Sequence, residues 1–156
     1  MLNHLNEEDH RQLSALVGPE RCSSGESNLR LHARDQSRHP ASKPEVVIWP
    51  ESTAEVAAIL RHAHQRRLPV TGWGAGSSLE GNPIPVHGGI VISFARMSRI
   101  LAVREEDFQV DVQPAGLCIL QRGDVCRAGI RFVQAGVLAF HTQLGVGPIH
   151  HQAGAF

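Results

Sequence analysis

Cysteine is scarce in this chain. Only Cys22, Cys118 and Cys126 occur, and an odd number without metal-ligand spacing or a secretory leader argues against a disulfide framework or a thiolate zinc site. A reducing, cytoplasmic setting is expected. Net charge is missing as well: 15 Lys and Arg balance 15 Asp and Glu, and no basic cluster alternates with aromatic residues, so the electrostatics recruit neither nucleic acid nor an anionic membrane surface. Long apolar runs are also absent. No stretch approaches the roughly 18 to 20 residues that span a bilayer, so no transmembrane segment is expected and any attachment, for example at an inner membrane, is peripheral. What remains is 156 residues, the size of one domain, able to bury roughly two thirds of the surface its unfolded chain exposes.

Positions 1–38 are polar and broken. Asn6 can cap a short helix in NEEDHRQLSALVG whose apolar stripe is Leu13, Leu16 and Val17, whereas PERCSSGESNLRLHARDQSRHPASKP has the composition of a loop. This part reads as an arm leading into the domain. From Glu45 the signals sharpen. EVVIWP is a short β-branched run closed by Pro50, and Ser52 with Glu55 forms an S-x-x-E capping box that opens a helix. Val56, Ile59, Leu60 and Ala63 recur at i, i+3, i+4 and i+7, leaving Arg61, His62, Gln65 and Arg66 mostly on other faces. RLPVTGW then supplies a second strand, so the segment is a βαβ unit. GGIVISF reads as a strand, ARMSRI as a turn with a short helical piece, and ILAVREEDFQVDVQP as two strands around a turn at Arg104 to Asp107. Phe108, Val110 and Val112 alternate with polar residues, which suits an antiparallel member of a mixed sheet. GLCILQRGDVCRAG has a helical pattern weakened by Gly123, and IRFV that of a strand.

The stretch GWGAGSSLEGN, Gly72 to Asn82, follows the second strand of the βαβ unit. Gly72, Gly74 and Gly76 allow positive φ and close backbone approach, so successive N–H groups can converge on an anion, with Ser77 and Ser78 adding hydroxyl donors. A P-loop would need Gly-Lys-Ser/Thr, and the loop has no lysine. A Rossmann fingerprint would need a helix to start here, but Asn82, Pro83 and Pro85 follow, and two prolines so close rule that helix out. Any anion is therefore held by loop amides, although a Gly/Ser stretch by itself can also be a plain turn.

Three segments together, VVIWPESTAEV, PVTGWGAGSSLEGN and SRILAVREEDFQVDVQPAG, are far more specific than the glycine loop alone. The run from Asp35 to Gly116 that contains them resembles, nearly without gaps, the start of the FAD-binding domain in the D-lactate dehydrogenase and glycolate oxidase subunit family, flavoproteins of the p-cresol methylhydroxylase or vanillyl-alcohol oxidase type. The resemblance implies an α+β fold, the mixed-sheet first lobe of such a domain with a βαβ start. It implies FAD as cofactor, with Gly74, Ala75, Gly76, Ser77 and Ser78 on the diphosphate, Gly72 opening the loop, Trp73 reaching the cofactor, Gly81 and Asn82 closing the site, and Pro50 lining the cleft. Glu80 should turn away and bond to loop backbone. Ala75 stands where some relatives of this type attach flavin through a histidine, so the FAD is expected to be non-covalent. The family oxidises 2-hydroxy acids to 2-keto acids, passing hydride to flavin; the substrate groups come from a later domain, so 2-hydroxy acid is a partner only of the full-length family.

After Gly116 the family continues into a second flavin loop of the pattern P-G-A-D-A-T-I-G-G. Here AGIRFV persists and TQLGVG, Thr142 to Gly147, keeps a trace, without the proline and paired glycines. The segment after Ala115 has no lysine or glutamate and a single acid, Asp124, which suggests a truncated or frame-shifted gene. The expected organisation is an arm over 1–38, a partial FAD-binding domain over 39–135 and a divergent tail over 136–156. No catalytic residue is assigned, and the isolated chain is expected to lack turnover. The 10 histidines suggest no metal site: His62 and His64 diverge on a helix, and His141, His150 and His151 lack a Cys or Asp partner at ligand spacing. Trp49 reads as core. A non-catalytic binding or interaction module, its exposed flavin face covered by another chain or by self-association, is the rival reading.

Overall fold

A computed structural model describes residues 2–104, 106–107 and 109–115. Element order is α1 (Glu7–Val17), β1 (Cys22–Ser23), α2 (Glu26–Leu31), β2 (Val46–Ile48), α3 (Thr53–Arg66), β3 (Val70–Trp73), β4 (Ile90–Ser93), β5 (Ile100–Arg104) and β6 (Gln109–Val112), with short 3₁₀ turns at Pro19–Arg21 and Phe94–Arg96. The helix and strand expected after Gly116 lie outside the described residues.

The central sheet has the order β1-β2-β4-β3. β2, β4 and β3 run parallel, in a register that sets Val47 and Thr71 both opposite Val91, while β1 pairs antiparallel with β2. The βαβ unit β2–α3–β3 is present, with β4 inserted between its two strands. The sheet is mixed, but its antiparallel member is β1, in a stretch whose composition reads as loop. β5 and β6, expected to join this sheet, instead form a separate two-stranded hairpin. The polar/apolar alternation in β6 does not specify which neighbour it finds.

Both faces of the central sheet are covered, which is why its inner strands β2 and β4 are β-branched runs buried throughout. On one face Val46, Ile48, Ile90 and Ile92 pack against Ile59 and Ala63 of α3 and Leu13 and Val17 of α1, with Cys22 from β1 in the same cluster. On the other, Val47, Val91 and Trp73 pack with Leu29 of α2 and Trp49. α3 starts as its sequence requires: Ser52 accepts from the Glu55 N–H at 3.2 Å. The Glu55 carboxylate, however, accepts from the Glu51 N–H at 2.7 Å and from Arg21 at 2.8 Å. Of the expected α3 stripe, Ile59 and Ala63 are fully buried, whereas Val56 and Leu60 are half-buried.

Part of the N-terminal segment packs into this core through Leu13, Val17 and Cys22. Asn6 caps α1 reciprocally with Asp9, and the buried row is Asp9, Leu13 and Val17, an i, i+4, i+8 line facing α3. Leu16, expected on that stripe, is one residue off the row and 39% exposed. Asp9 takes its place by bonding Arg66 at 2.7 Å and His62 at 3.0 Å, both on α3. Asp9 itself is 1% exposed, and its hydrogen bond to Arg66, opposed by desolvation and helped by the Asn6 N–H, holds its carboxyl below the ordinary value. Among the described residues no helix is long and apolar enough to cross a membrane.

Candidate functional site

Parallel strands place all their carboxyl ends on one edge of the sheet, and in open α/β sheets that edge is where ligands bind. The glycine loop leaves β3 at this edge. Gly72, Gly74, Ala75, Gly76, Ser77, Ser78, Asn82 and Pro83 surround one open concavity of about 350 Å³. None of these residues carries a charge. Among the described residues, the N–H groups of Ala75, Gly76, Ser77 and Ser78 donate to no protein acceptor, so four consecutive amides are left for solvent or for an anion.

The glycines serve different ends. Of Gly72, Gly74 and Gly76, which allow positive φ, only Gly76 uses it, at 67°. A Cβ on Gly76 would also lie 2.7 Å from the Trp73 ring. At Gly74 a Cβ would meet nothing within 4 Å: glycine there keeps the mouth of the concavity clear.

Three residues expected at the cofactor lie outside the lining. Pro50 is fully buried at the end of β2. Trp73 is 7% exposed and turned under the loop, its ring edge-on to His32 at a centroid distance of 4.9 Å. The N–H of Gly81 is taken by the Asp35 carboxylate at 2.9 Å. Trp49, read as core, is half-buried, with its ring 5.8 Å from His32. His32 thus sits between two tryptophans, 4% exposed, with Nδ1 2.9 Å from the Asn28 carbonyl. Burial lowers its pKa, and the Asn28 bond opposes that only in part.

Asp35 was not singled out from sequence. It is 4% exposed and accepts from the N–H of Ser37 at 2.9 Å and of Gly81 at 2.9 Å. Desolvation raises its pKa, but the hydroxyl and N–H of Ser37, the N–H of Gly81 and the hydroxyl of Ser78 together outweigh that and hold it below the ordinary value. The role expected for Glu80, a carboxylate bonding loop backbone, belongs to Asp35; Glu80 is exposed, and only its N–H is engaged, by Ser78 Oγ at 3.3 Å. The Asp35-Gln36-Ser37 pattern signals a local turn, but nothing local says which distant loop it holds.

A larger concavity, about 900 Å³, lies at the end of α3 among Leu2, Ala63, His64, Gln65, Arg67 and Leu68. Asn3 already caps the α3 carbonyls there, its N–H to Arg67 O at 3.0 Å and its side-chain amide to Arg66 O at 2.7 Å. This concavity lies just before β3 begins, at the edge of the sheet opposite the carboxyl ends, so the smaller concavity is the candidate site.

A mixed sheet with helices on both faces and a glycine loop at its carboxyl edge defines the class as an α+β lobe. Residues 44–117 match the family of the FAD binding domain. The chain is 36% identical over 100 residues to a probable mitochondrial D-lactate dehydrogenase of Danio rerio, covering 64% of this chain and 20% of that protein. It is 33% identical over 103 residues to the glycolate oxidase subunit GlcD of Bacillus subtilis, covering 66% and 22%. Among solved structures, a 4-ethylphenol oxidase from Gulosibacter chungangensis superposes with a TM-score of 0.67 at 22% identity, over 83% of this chain and 27% of that one. p-Cresol methylhydroxylase superposes with a TM-score of 0.57 at 11% identity, over 80% and 27%. Residues 44–117, just under half of the chain, thus match an FAD binding domain, and the curated relatives with which the chain aligns include a probable D-lactate dehydrogenase and a glycolate oxidase subunit. The chain spans about a fifth of the length of these curated relatives.

Proposed function

We propose that the loop from Gly72 to Asn82 holds the diphosphate of FAD without a covalent link, as part of a flavin-dependent oxidoreductase of D-2-hydroxy acids such as D-lactate or glycolate. The observation that carries this reading is the row of four unpartnered N–H groups, Ala75 to Ser78, around an uncharged concavity at the carboxyl edge of the sheet. The residues present fit a diphosphate: Gly74 leaves room for close approach, and Ser77, Ser78 and Asn82 add polar side chains. A concavity of about 350 Å³ receives the phosphates and little else of a dinucleotide.

When bound, FAD supplies a two-electron acceptor. The chain's own contribution is to bind and orient the diphosphate. Ala75 offers only a methyl group where an attaching side chain would stand, so the cofactor dissociates on denaturation. The lining has neither a base nor a cation for a substrate carboxylate, and binding without turnover is therefore expected of this chain alone.

The test is titration of the purified chain with FAD, following quenching of flavin fluorescence and release of the yellow cofactor by acid. Saturable quenching is expected, with no dye reduction by D-lactate or glycolate; absence of quenching overturns the reading. The interaction-module alternative is favoured by one observation. Ile100, Leu101 and Val103 of the β5–β6 hairpin are 37%, 62% and 43% exposed, an apolar strip open to another surface. A colourless protein that elutes in a complex would support it.

A further inference from the structure

We propose that Asp35 is a positioning residue that sets the bend of the glycine loop before any cofactor arrives. The inference concerns the same site and rests, for its ligand, on the FAD reading. From Gly74 to Asn82 the loop has neither helix nor sheet pairing, and its ligand-facing amides must stay unpaired to be useful. Something outside the loop has to hold it. The segment just before β2 does so: the Gln36 N–H donates to the Ser78 carbonyl at 3.1 Å, and Asp35 Oδ2 accepts from the Gly81 N–H at 2.9 Å.

The two oxygens of Asp35 divide the work. Oδ1 accepts from the Ser37 N–H at 2.9 Å and locks the carboxylate in its own turn, while Oδ2 reaches across 46 residues of sequence to the loop. Further along the same segment, Ser42 Oγ donates to the Pro85 carbonyl at 2.8 Å, and the His39 ring lies 2.8 Å from where a Gly81 Cβ would be. The loop is thus held at Ser78, Gly81 and Pro85, and Ala75 to Ser78 keep their free N–H groups. A carboxylate near a diphosphate would ordinarily repel it. Asp35 is spent on backbone donors and the Ser78 side, and it is absent from the concavity lining. Arg34, Arg38 and Glu80, its charged neighbours in sequence and across the loop, are exposed and make no hydrogen bond to it.

The test compares Asp35→Asn, Asp35→Glu and wild type in the full chain. Amide hydrogen exchange of the loop is read in the protein without FAD, and FAD affinity by fluorescence. With Asp35→Asn, one amide N–H replaces an acceptor and faces a donor. The expected result is faster exchange at Gly81, unchanged protection in β2 and β4, and FAD affinity lower by about tenfold, the loss of one charge-assisted hydrogen bond. Asp35→Glu restores a carboxylate and should recover loop protection at least in part. A space-filling role would rank the two the other way, since Asn is nearly isosteric with Asp. Unchanged loop exchange in Asp35→Asn, or better protection with Asn than with Glu, overturns the proposal. If the wild type binds no FAD, the flavin reading fails, and the exchange data still decide the role of Asp35.

Discussion

Two neighbouring glycines separate stability from binding. At Gly76, φ is 67°, and a left-handed conformation costs an L-residue about 1–2 kcal/mol. The new Cβ of Gly76→Ala would also sit 2.7 Å from Cζ2 and 3.2 Å from Cε2 of Trp73. That ring has nowhere to go, being 7% exposed and packed on His32, so relieving the overlap adds about 1–3 kcal/mol of overpacking. The sum is a loss of about 2–5 kcal/mol in urea unfolding. Gly74→Ala meets no atom within 4 Å and has no positive φ, so its stability should stay within about 0.5 kcal/mol of wild type. Its methyl group instead enters the space where the proposed diphosphate would sit, and FAD affinity should fall by about tenfold or more. Paired urea and FAD titrations on the two variants read both quantities. Unchanged FAD affinity in Gly74→Ala, or a loss below about 0.5 kcal/mol in Gly76→Ala, would refute the reasoning.

Ile59, fully buried on the sheet-facing side of α3, should cost about 2–5 kcal/mol when changed to Ala, read from the shift in urea midpoint. Asp9→Asn keeps the shape but loses the charge that Arg66 and His62 share; since Arg66 is 44% exposed and stays solvated, the loss should be about 1–3 kcal/mol near neutral pH. Because the folded carboxyl of Asp9 titrates below its ordinary value, that contribution is present above the unfolded value near 3.8 and is lost as pH falls through the folded one; Asp9→Asn should therefore lose less stability than wild type over that acid range. His32 behaves with the same sign for a different reason. Its folded pKa is lowered, chiefly by burial, so the unfolded chain takes up a proton first as pH falls below about 6.5, and stability declines from there toward the folded value. In His32→Phe, which keeps an aromatic ring between Trp49 and Trp73, that decline should vanish from thermal melts taken between pH 5 and 7.

Much of the site was readable because its signals are local. The capping pair Ser52 and Glu55, the two buried positions Ile59 and Ala63, and a glycine loop closed by Pro83 and Pro85 all lie within a few residues of what they control. Seven of the residues named for the cofactor, Gly72, Gly74, Ala75, Gly76, Ser77, Ser78 and Asn82, line the same concavity. Pro50, Trp73 and Gly81 were placed beside them by the family resemblance. Burial, in the first two, and a hydrogen bond to Asp35, in the third, direct them elsewhere. Leu16 and the 19–44 stretch were misjudged for a related reason: a short amphipathic helix reveals that it has a buried row, but the partner surface selects which row.

The order of residues along the chain therefore determined α1, α3, the strands from β2 onward, the helix caps and the open, glycine-rich course of one loop, since these follow from side-chain spacing, φ preferences and missing N–H groups over a turn or two of backbone. Packing decided the rest. The insertion of β4 between β2 and β3, the salt-bridged seat of α1 on α3, the tryptophan wedged under Gly76 and the reach of Asp35 to Gly81 all join residues tens of positions apart. Such contacts form only where burial brings both partners together, and no local pattern encodes the meeting point.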